Sequence, residues 1–181
     1  MLMNKDDSIL LIVDVQENLA PAQDNPREVI NGCASLLGVA KKLNIPYLVS
    51  EQDSRRFGQT MVDLRKVLGD DAVYYEKNTL SCYRNEAIRQ TVEAAKKKQI
   101  IIAGLETHLG VLQTAMDFAE AGYQVFVVAD SSSSRNGVQN IFGLQRLQRS
   151  GIDVVTREMV VFEWINQSGN ALFDELWEYR A

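Results

Sequence analysis

Short apolar runs alternate with helix-length amphipathic segments along the whole chain, and this alternation constrains the fold more than any other feature of the sequence. The first run, Ile9–Val13, is continuous and rich in β-branched residues, which is typical of a strand buried on both faces of a parallel sheet. Val29, Cys33, Leu36 and Ala40 then recur at helical spacing. A chain in which strands and helices alternate in this way is expected to be an α/β protein with a mainly parallel sheet.

The same patterns predict the individual elements. Strands are expected over Ser8–Val15, Tyr47–Ser50, Ala72–Tyr75, Gln99–Ala103, Tyr123–Ala129 and Ile152–Val155. Helices are expected from near Pro26 to before Asn44, over Met61–Leu68, Ala87–Lys97, Val111–Ala121 and Val138–Arg149, and once or twice in the tail. The serines Ser131–Ser134 are expected to form a loop between a strand and a helix.

Length and composition limit the class of protein. The 181 residues, 46% of them apolar, predict one domain over residues 1–181 with a sizeable core. A formal charge of −5 argues against nucleic-acid binding, because that function needs a basic surface. The apolar runs are too short to span a membrane, the first residues lack the pattern of a signal peptide, and there are two cysteines. We therefore expect a cytoplasmic protein in a reducing compartment.

Polar residues just beyond the predicted strands are the candidates for chemistry, because ligands collect at the carboxyl ends of strands in an open parallel sheet. Asp14 lies among apolar residues, so its pKa is expected to be displaced, although it could equally cap the following loop. Lys77 would form an acid–base unit with Asp14 if the two meet, and is otherwise a surface lysine. The single histidine, His108, could be a base, a ligand or a hydrogen-bonded structural residue.

Several other kinds of functional site are excluded because the sequence lacks their motifs. The sequence contains no phosphate-binding loop, no dinucleotide-binding glycine motif and no nucleophile elbow. No Cys/His cluster has zinc-ligand spacing, and Cys82 is expected to be a buried thiol rather than a nucleophile. We therefore predict neither a metal nor a cofactor.

Taken together, the segments found at the strand ends resemble the isochorismatase-like cysteine hydrolase superfamily over nearly the whole chain. The resemblance rests on Leu11–Gln16, on Ser50–Gln52 with Gly58 and Thr60, on Glu76–Lys77 with Leu80–Cys82, on Ala103–His108 and on Glu158–Glu163. It implies a three-layer fold with a six-stranded parallel sheet flanked by helices, and a homo-oligomer.

The resemblance also implies roles for individual residues. Asp14 matches the catalytic aspartate, Lys77 the catalytic lysine, and Gly110 the position of the nucleophilic cysteine. A cis peptide is implied at Leu105–Glu106, with the backbone N–H groups of Glu106 and Gly110 as an oxyanion hole. The candidate residues for binding a small-molecule substrate are Gln16, Glu51, Thr107 and His108.

The glycine at position 110 is the main departure from the family pattern, because a residue without a side chain cannot form a thioester. One hypothesis is that the protein is a hydrolase without a covalent step. It would then be similar to the isochorismatases, whose aspartate acts as general acid. A second is an inactive member kept as a binding or oligomeric scaffold, and a third is an amidase-type enzyme whose cysteine has been replaced. The metal-dependent nicotinamidase pattern is absent, since Glu51–Arg55 contains no histidine.

Overall fold

Six parallel strands form one sheet at the centre of the molecule, in a computed structural model that describes residues 1–169 and 171–178. The predicted domain runs to residue 181, and residues 170 and 179–181 lie outside the described part. The strands are β1 (Ser8–Val13), β2 (Tyr47–Gln52), β3 (Tyr74–Lys77), β4 (Gln99–Leu105), β5 (Gln124–Ser133) and β6 (Asp153–Val155). Their order across the sheet is β3-β2-β1-β4-β5-β6, which confirms the three-layer α/β fold predicted for the sequence.

Helices cover both faces of this sheet. They are α1 (Pro26–Lys42), α2 (Ser54–Phe57), α3 (Val62–Leu68), α4 (Glu86–Ala95), α5 (Leu112–Glu120), α6 (Gly137–Arg149), α7 (Arg157–Ile165) and α8 (Ala171–Glu178). A 3₁₀ turn over Ala20–Ala22 precedes α1, and a π-helical turn over Thr107–Val111 precedes α5. No helix among the described residues is both long and apolar enough to cross a bilayer.

The hydrophobic core has two layers, one on each face of the sheet. Alternate residues of β1 supply both, so that Leu10 and Ile12 pack with α1 and α7 while Ile9 and Leu11 pack with α4 and α5. All residues of β1 and β4 are buried, as expected for central parallel strands covered on both faces. The predicted continuous apolar runs therefore mark the central strands.

The six strands lie where the sequence predicted them, but their bounds differ by one to four residues, and the differences at β3 and β5 change which residues reach the strand ends. β3 lies later than predicted because it pairs with the end of β2, which brings Lys77 opposite Gln52. β5 continues through serines predicted to form a loop, since Ser132 and Ser133 pair with the last residues of β4 after a shift in register. In both cases a neighbouring strand determines where the strand ends, and side-chain polarity does not.

Candidate active site

A cavity of about 550 Å³ opens at the carboxyl ends of the central strands. Most of the exposed surface that lines it is apolar, and seven of the fourteen lining residues are polar or charged, a combination found in small-molecule sites. The residues that line it are Asp14, Asn18, Leu19, Ala22, Gln23, Gln52, Arg56, Phe57, Leu80, Leu105, Glu106, Leu109, Gly110 and Arg135.

Asp14 and Lys77 form an ion pair at this cavity. Lys77 Nζ donates a hydrogen bond of 2.7 Å to Asp14 Oδ2, and both residues are almost completely buried, with exposed fractions of 1% and 4%. The two residues are far apart in the sequence, because Asp14 directly follows β1 and Lys77 is the last residue of β3. The structure therefore brings together the acid and the ammonium group, a contact that the sequence left open.

The backbone at Asp14 directs its side chain into the site. Asp14 follows the last residue of β1 and has φ of +54°, the left-handed region that aspartate tolerates better than most residues. In a continued strand, alternation would place Asp14 on the same face as Ile12, towards α1. The left-handed residue interrupts that alternation at the point where the carboxylate meets Ser50 and Lys77.

Strand β2 supplies the partners that hold this pair. Ser50 Oγ donates to Asp14 Oδ1 at 2.7 Å, and Gln52 Oε1 accepts from Lys77 Nζ at 2.7 Å. The lysine also donates to the carbonyl oxygens of Thr79 and Leu80, at 3.1 and 3.3 Å. These contacts fix the ammonium group from several directions, as a buried charge requires.

The pKa of Asp14 is raised above its ordinary value. Burial is the largest cause, because it disfavours the charged carboxylate, and the nearby Glu51 acts in the same direction. The Lys77 ammonium and the hydrogen bonds from Lys77 and Ser50 act against this rise. The carboxyl group is therefore placed to hold or give up a proton within the cavity.

Gly110 and Glu106 lie beside this carboxyl group. Gly110 belongs to the π-helical turn, and an added Cβ there would lie 3.5 Å from Asp14 Oδ2 and 3.2 Å from the carbonyl oxygen of Leu105. The Leu105–Glu106 peptide is cis, as the resemblance implied. Glu106 forms an ion pair with Arg135, which joins the π-helical turn to the end of β5 at the rim of the cavity.

Cys82 is not positioned as a nucleophile. Its side chain is fully buried, it does not line the cavity, and its Sγ is a hydrogen-bond donor to Ser50 Oγ at 3.4 Å. Burial, followed by the charge of Asp14, raises the pKa of the Cys82 thiol to about 11. The thiol is therefore neutral near pH 7 and serves as the partner of Ser50.

Two of the candidate substrate-binding residues hold the loop after β2. Gln16 is buried, and its amide group bonds to the backbone of Gln52 and Gly58. Glu51 Oε1 accepts hydrogen bonds of 2.7 Å from both the backbone N–H and the hydroxyl of Thr60. The structure places neither side chain among those that line the cavity.

The other two candidates lie on the π-helical turn. Thr107 is fully buried, and its hydroxyl finds no hydrogen-bond partner among the described residues. His108 Nδ1 lies 2.9 Å from Ser134 Oγ, and its backbone packs against Gly143 of α6. Neither residue lines the cavity, whereas Glu106, Leu109 and Gly110 of the same segment do.

The candidate list drawn from the sequence lacks Ser50, Gln52, Arg56 and Arg135. Ser50 and Gln52 could have been predicted from the alternation of side chains along a strand. This alternation puts Ser50 and Gln52 on one face of β2 and Glu51 on the other. Arg56 and Arg135 enter the cavity from loops and a short helix, for which no sequence period exists.

The described residues hold no group of three His, Cys, Asp or Glu side chains that converges to enclose a metal ion. The fold and the site together define a class: an α/β protein with a buried acid–ammonium pair at the carboxyl edge of its sheet. The sequence matches the profile of the Isochorismatase domain over residues 8–159. The chain belongs to the isochorismatase family, whose fold and relatives support assignment as a hydrolase.

Curated relatives match nearly the whole chain. A secreted isochorismatase effector, Isc1 of Phytophthora sojae, is 33% identical over 172 residues, which cover 93% of this chain and 82% of the relative. Isochorismatase domain-containing protein 2 of Xenopus laevis is 31% identical over 169 residues, covering 93% and 81% of the two chains.

Solved structures show the same fold. The MAR1 ribonuclease of Caenorhabditis elegans has a TM-score of 0.91 and 28% identity, and the match covers 99% of this chain and 92% of that one. The YcaC protein of Escherichia coli, described as an octameric hydrolase of unknown specificity, has a TM-score of 0.87 and 27% identity, with 92% and 83% covered.

Proposed function

We propose that this protein is a hydrolase of small molecules that acts without a covalent cysteine intermediate. The observation that carries the proposal is the hydrogen bond between Lys77 and Asp14 beside Gly110, at a cavity of suitable size. In addition, none of the described residues that line the cavity is a cysteine, serine or threonine. A mechanism in which the side chain of Asp14 handles protons, without a nucleophile, is consistent with this lining.

The chemistry proposed is general-acid cleavage of an enol ether. Asp14 protonates the terminal vinyl carbon, and the resulting oxocarbenium-like species takes up water at the carbon that bears the ether oxygen. The hemiketal then releases an alcohol and leaves a ketone, and the proton lost from the water returns to Asp14. The raised pKa of Asp14 supports the first step, because a general acid must be protonated at the working pH.

Lys77 and the backbone at the π-helical turn complete the proposed site. The Lys77 ammonium stabilises the carboxylate that Asp14 becomes after it has given up its proton. The N–H groups of Glu106 and Gly110 are the proposed donors to oxygen atoms that develop negative charge.

An anionic substrate is favoured by the rim of the cavity. Arg56 lines the cavity, its guanidinium lies 5.1 Å from the centre of the Phe57 ring, and it forms no ion pair within the described part of the chain. A guanidinium placed in this way can bind a carboxylate. We expect Arg56→Gln to weaken the binding of small carboxylates about tenfold or more, and the neighbouring Arg55→Gln to leave it unchanged.

Release of pyruvate from carboxylated enol ethers tests the reaction itself. We expect the unmodified protein to release pyruvate, Asp14→Asn to abolish the release, and Asp70→Asn, an exposed aspartate, to leave it unchanged. If no ether or amide in a broad panel is cleaved while thermal-shift assays show ligand binding, the protein is instead a binding scaffold.

The variant Gly110→Cys tests whether the nucleophile is the only missing part of an amidase. An added Cβ fits 3.5 Å from Asp14 Oδ2 with a small shift of the Leu105 carbonyl, so the thiol would lie within reach of the base. We expect amidase activity in Gly110→Cys and none in the control Gly110→Ala, measured as ammonia release from small amides. A folded Gly110→Cys protein with no activity would contradict the assignment of position 110.

We also propose that the protein is a homo-oligomer, since its structural relative from Escherichia coli is described as octameric. Light scattering coupled to size-exclusion chromatography measures the mass directly. A mass equal to the 20.3 kDa of one chain at micromolar concentration would overturn this part of the proposal.

A further inference from the structure

A chain of hydrogen bonds runs through the protein interior from helix α5 to Asp14. The backbone N–H of Cys82 donates to Thr114 Oγ1 of α5 at 2.9 Å, and this bond fixes the position of the cysteine. Cys82 Sγ donates to Ser50 Oγ at 3.4 Å, and Ser50 Oγ donates to Asp14 Oδ1 at 2.7 Å. Thr114, Cys82 and Ser50 are fully buried, so these bonds form away from water, where they are stronger.

The thiol determines which way the Ser50 hydroxyl points. A hydroxyl has a single hydrogen, and the Cys82 thiol keeps its own because burial raises its pKa to about 11. If Ser50 turned to accept a proton from Asp14, its hydrogen would be left for the sulfur atom, which is a weak acceptor, and the hydrogen bond from the thiol would be lost. The arrangement in which Cys82 donates to Ser50 and Ser50 donates to Asp14 is therefore the more stable one.

Both side chains that bond to the Asp14 carboxyl group in the described part of the chain are then donors. Ser50 donates to Oδ1, and the Lys77 ammonium, which has no lone pair with which to accept a proton, donates to Oδ2. Glu51, the other charged group that acts on Asp14, lies on the opposite face of β2 from Ser50. None of these groups takes the proton of Asp14, and Oδ2 lies beside Gly110 at the cavity.

We propose that Cys82 is a positioning residue, whose thiol holds Ser50 as a donor to Asp14 and so leaves the proton of Asp14 for the substrate. This inference deepens the general-acid role proposed for Asp14 and rests on it. Cys82 does not line the cavity, so it acts only through Ser50. The hydrogen bond from Ser50 lowers the pKa of Asp14 and opposes the rise that burial causes. The thiol therefore influences how readily the general acid gives up its proton.

The pKa of Asp14 measures this role without any substrate. It is read from the carbon-13 NMR shift of the Asp14 carboxyl carbon as a function of pH, with Asp14→Asn to assign the signal. We expect the pKa to rise by about one unit in Ser50→Ala and by about half a unit in Cys82→Ala, because each change weakens the donor to the carboxylate. Cys82→Ser keeps a donor at this position and should keep the pKa of the unmodified protein.

The double variant Ser50→Ala/Cys82→Ala separates positioning from packing. Since Cys82 acts through Ser50, we expect the double variant to titrate as Ser50→Ala does. The matched control is Cys33→Ala, which removes the other fully buried thiol, a donor to the carbonyl oxygen of Ser131, and should leave the pKa of Asp14 unchanged. Where Cys82→Ala does not fold, Cys82→Val fills the space of the thiol without a donor and gives the same comparison.

Three results would overturn the proposal. They are an unchanged pKa of Asp14 in Cys82→Ala, additive shifts from Ser50→Ala and Cys82→Ala, and a shift in Cys82→Ser or Cys33→Ala equal to that in Cys82→Ala. The last two would show that packing alone explains the effect. Failure of the proposed reaction is recognised separately, because absence of pyruvate release from the unmodified protein contradicts the function of Asp14 as general acid without changing its titration.

Discussion

A buried carboxyl group beside a buried ammonium group is the central feature at the scale of single residues. Asp14 and Lys77 are both removed from water, so the carboxylate form of Asp14 depends on the ammonium group beside it. The sequence predicted both residues as candidates because each follows a strand. It could not show that they meet, because the contact depends on β3 pairing with the end of β2.

Loss of Lys77 is expected to destabilise the protein in a pH-dependent way. In Lys77→Met the pKa of Asp14 rises further, because burial remains while the ammonium that opposed it is gone. A carboxyl group whose pKa is raised in the folded state loses stability as the pH increases from its unfolded value of 3.8 towards the folded value. We therefore expect Lys77→Met to cost about 3–5 kcal/mol near pH 7 and less near pH 4.

Urea denaturation at pH 4, 5, 6 and 7 measures this dependence. The control is Lys77→Met/Asp14→Asn, in which no titrating carboxyl group remains at position 14. The difference in free energy of unfolding between the single and double variants is expected to widen with pH, by up to about 1.4 kcal/mol per unit. A difference that stays constant over this range would show that Asp14 does not titrate there.

At the scale of elements, the alternation of side chains along the strands and the positions of the strand ends determine which residues face the site. Ser50 and Gln52 face Asp14 and Lys77 because they are two residues apart on β2, whereas Glu51 points to the opposite face and binds Thr60. Gly104 of β4 supports the same region, since φ is +126° and a Cβ there would overlap the backbone of Val13. The β1–β4 contact beside the site therefore requires glycine at this position.

Asn85 is expected to stabilise helix α4 and the end of β3 together. Its side-chain oxygen accepts from the backbone N–H of Ile88, and its amide nitrogen donates to the carbonyl oxygen of Glu76, each at 3.1 Å. Asn85→Ala removes this N-terminal cap and should lower the free energy of unfolding by about 1–2 kcal/mol.

The matched variant Asn85→Ser keeps a cap oxygen and loses the bond to Glu76 without setting a second acceptor against the Glu76 carbonyl. We expect it to retain more stability than Asn85→Ala, as measured by the midpoint of urea unfolding. If the two variants were equally destabilised, the bond to Glu76 rather than the cap would carry the effect.

At the scale of the whole molecule, helix α7 packs against the N-terminal segment and the start of β1. Trp164 of α7 is only 1% exposed, and its indole N–H donates to Ser8 Oγ at 3.0 Å, which joins α7 to the first residue of the central strand. The backbone N–H of Met3 reinforces this contact by donating to Glu163 at 2.6 Å. Packing against β1 therefore extends to α7, beyond residue 159, where the family match ends.

Removal of this indole is expected to destabilise the whole domain. Trp164→Ala leaves a large cavity in the layer that includes Leu10, and should lower the free energy of unfolding by about 3–5 kcal/mol. Trp177→Ala is the matched control, because Trp177 is 47% exposed and stacks on Phe173 at the surface. Chemical denaturation should show a much smaller loss for the control, and equal losses would contradict a core role for Trp164.

The amino-acid sequence by itself determined the α/β class, the central strands and the two charged residues of the candidate site. These follow from local chemistry: apolar β-branched runs form buried strands, and a polar residue just after such a run lies at the edge of the sheet. Only the tertiary structure decided the bounds of β3 and β5 and the contact between Asp14 and Lys77. Only the tertiary structure, too, decided that Gln52 lines the cavity and that the predicted residue Glu51 does not. Each of these depends on which strand lies next to which and on a left-handed residue at Asp14, and such long-range pairing leaves no periodic signal in the sequence.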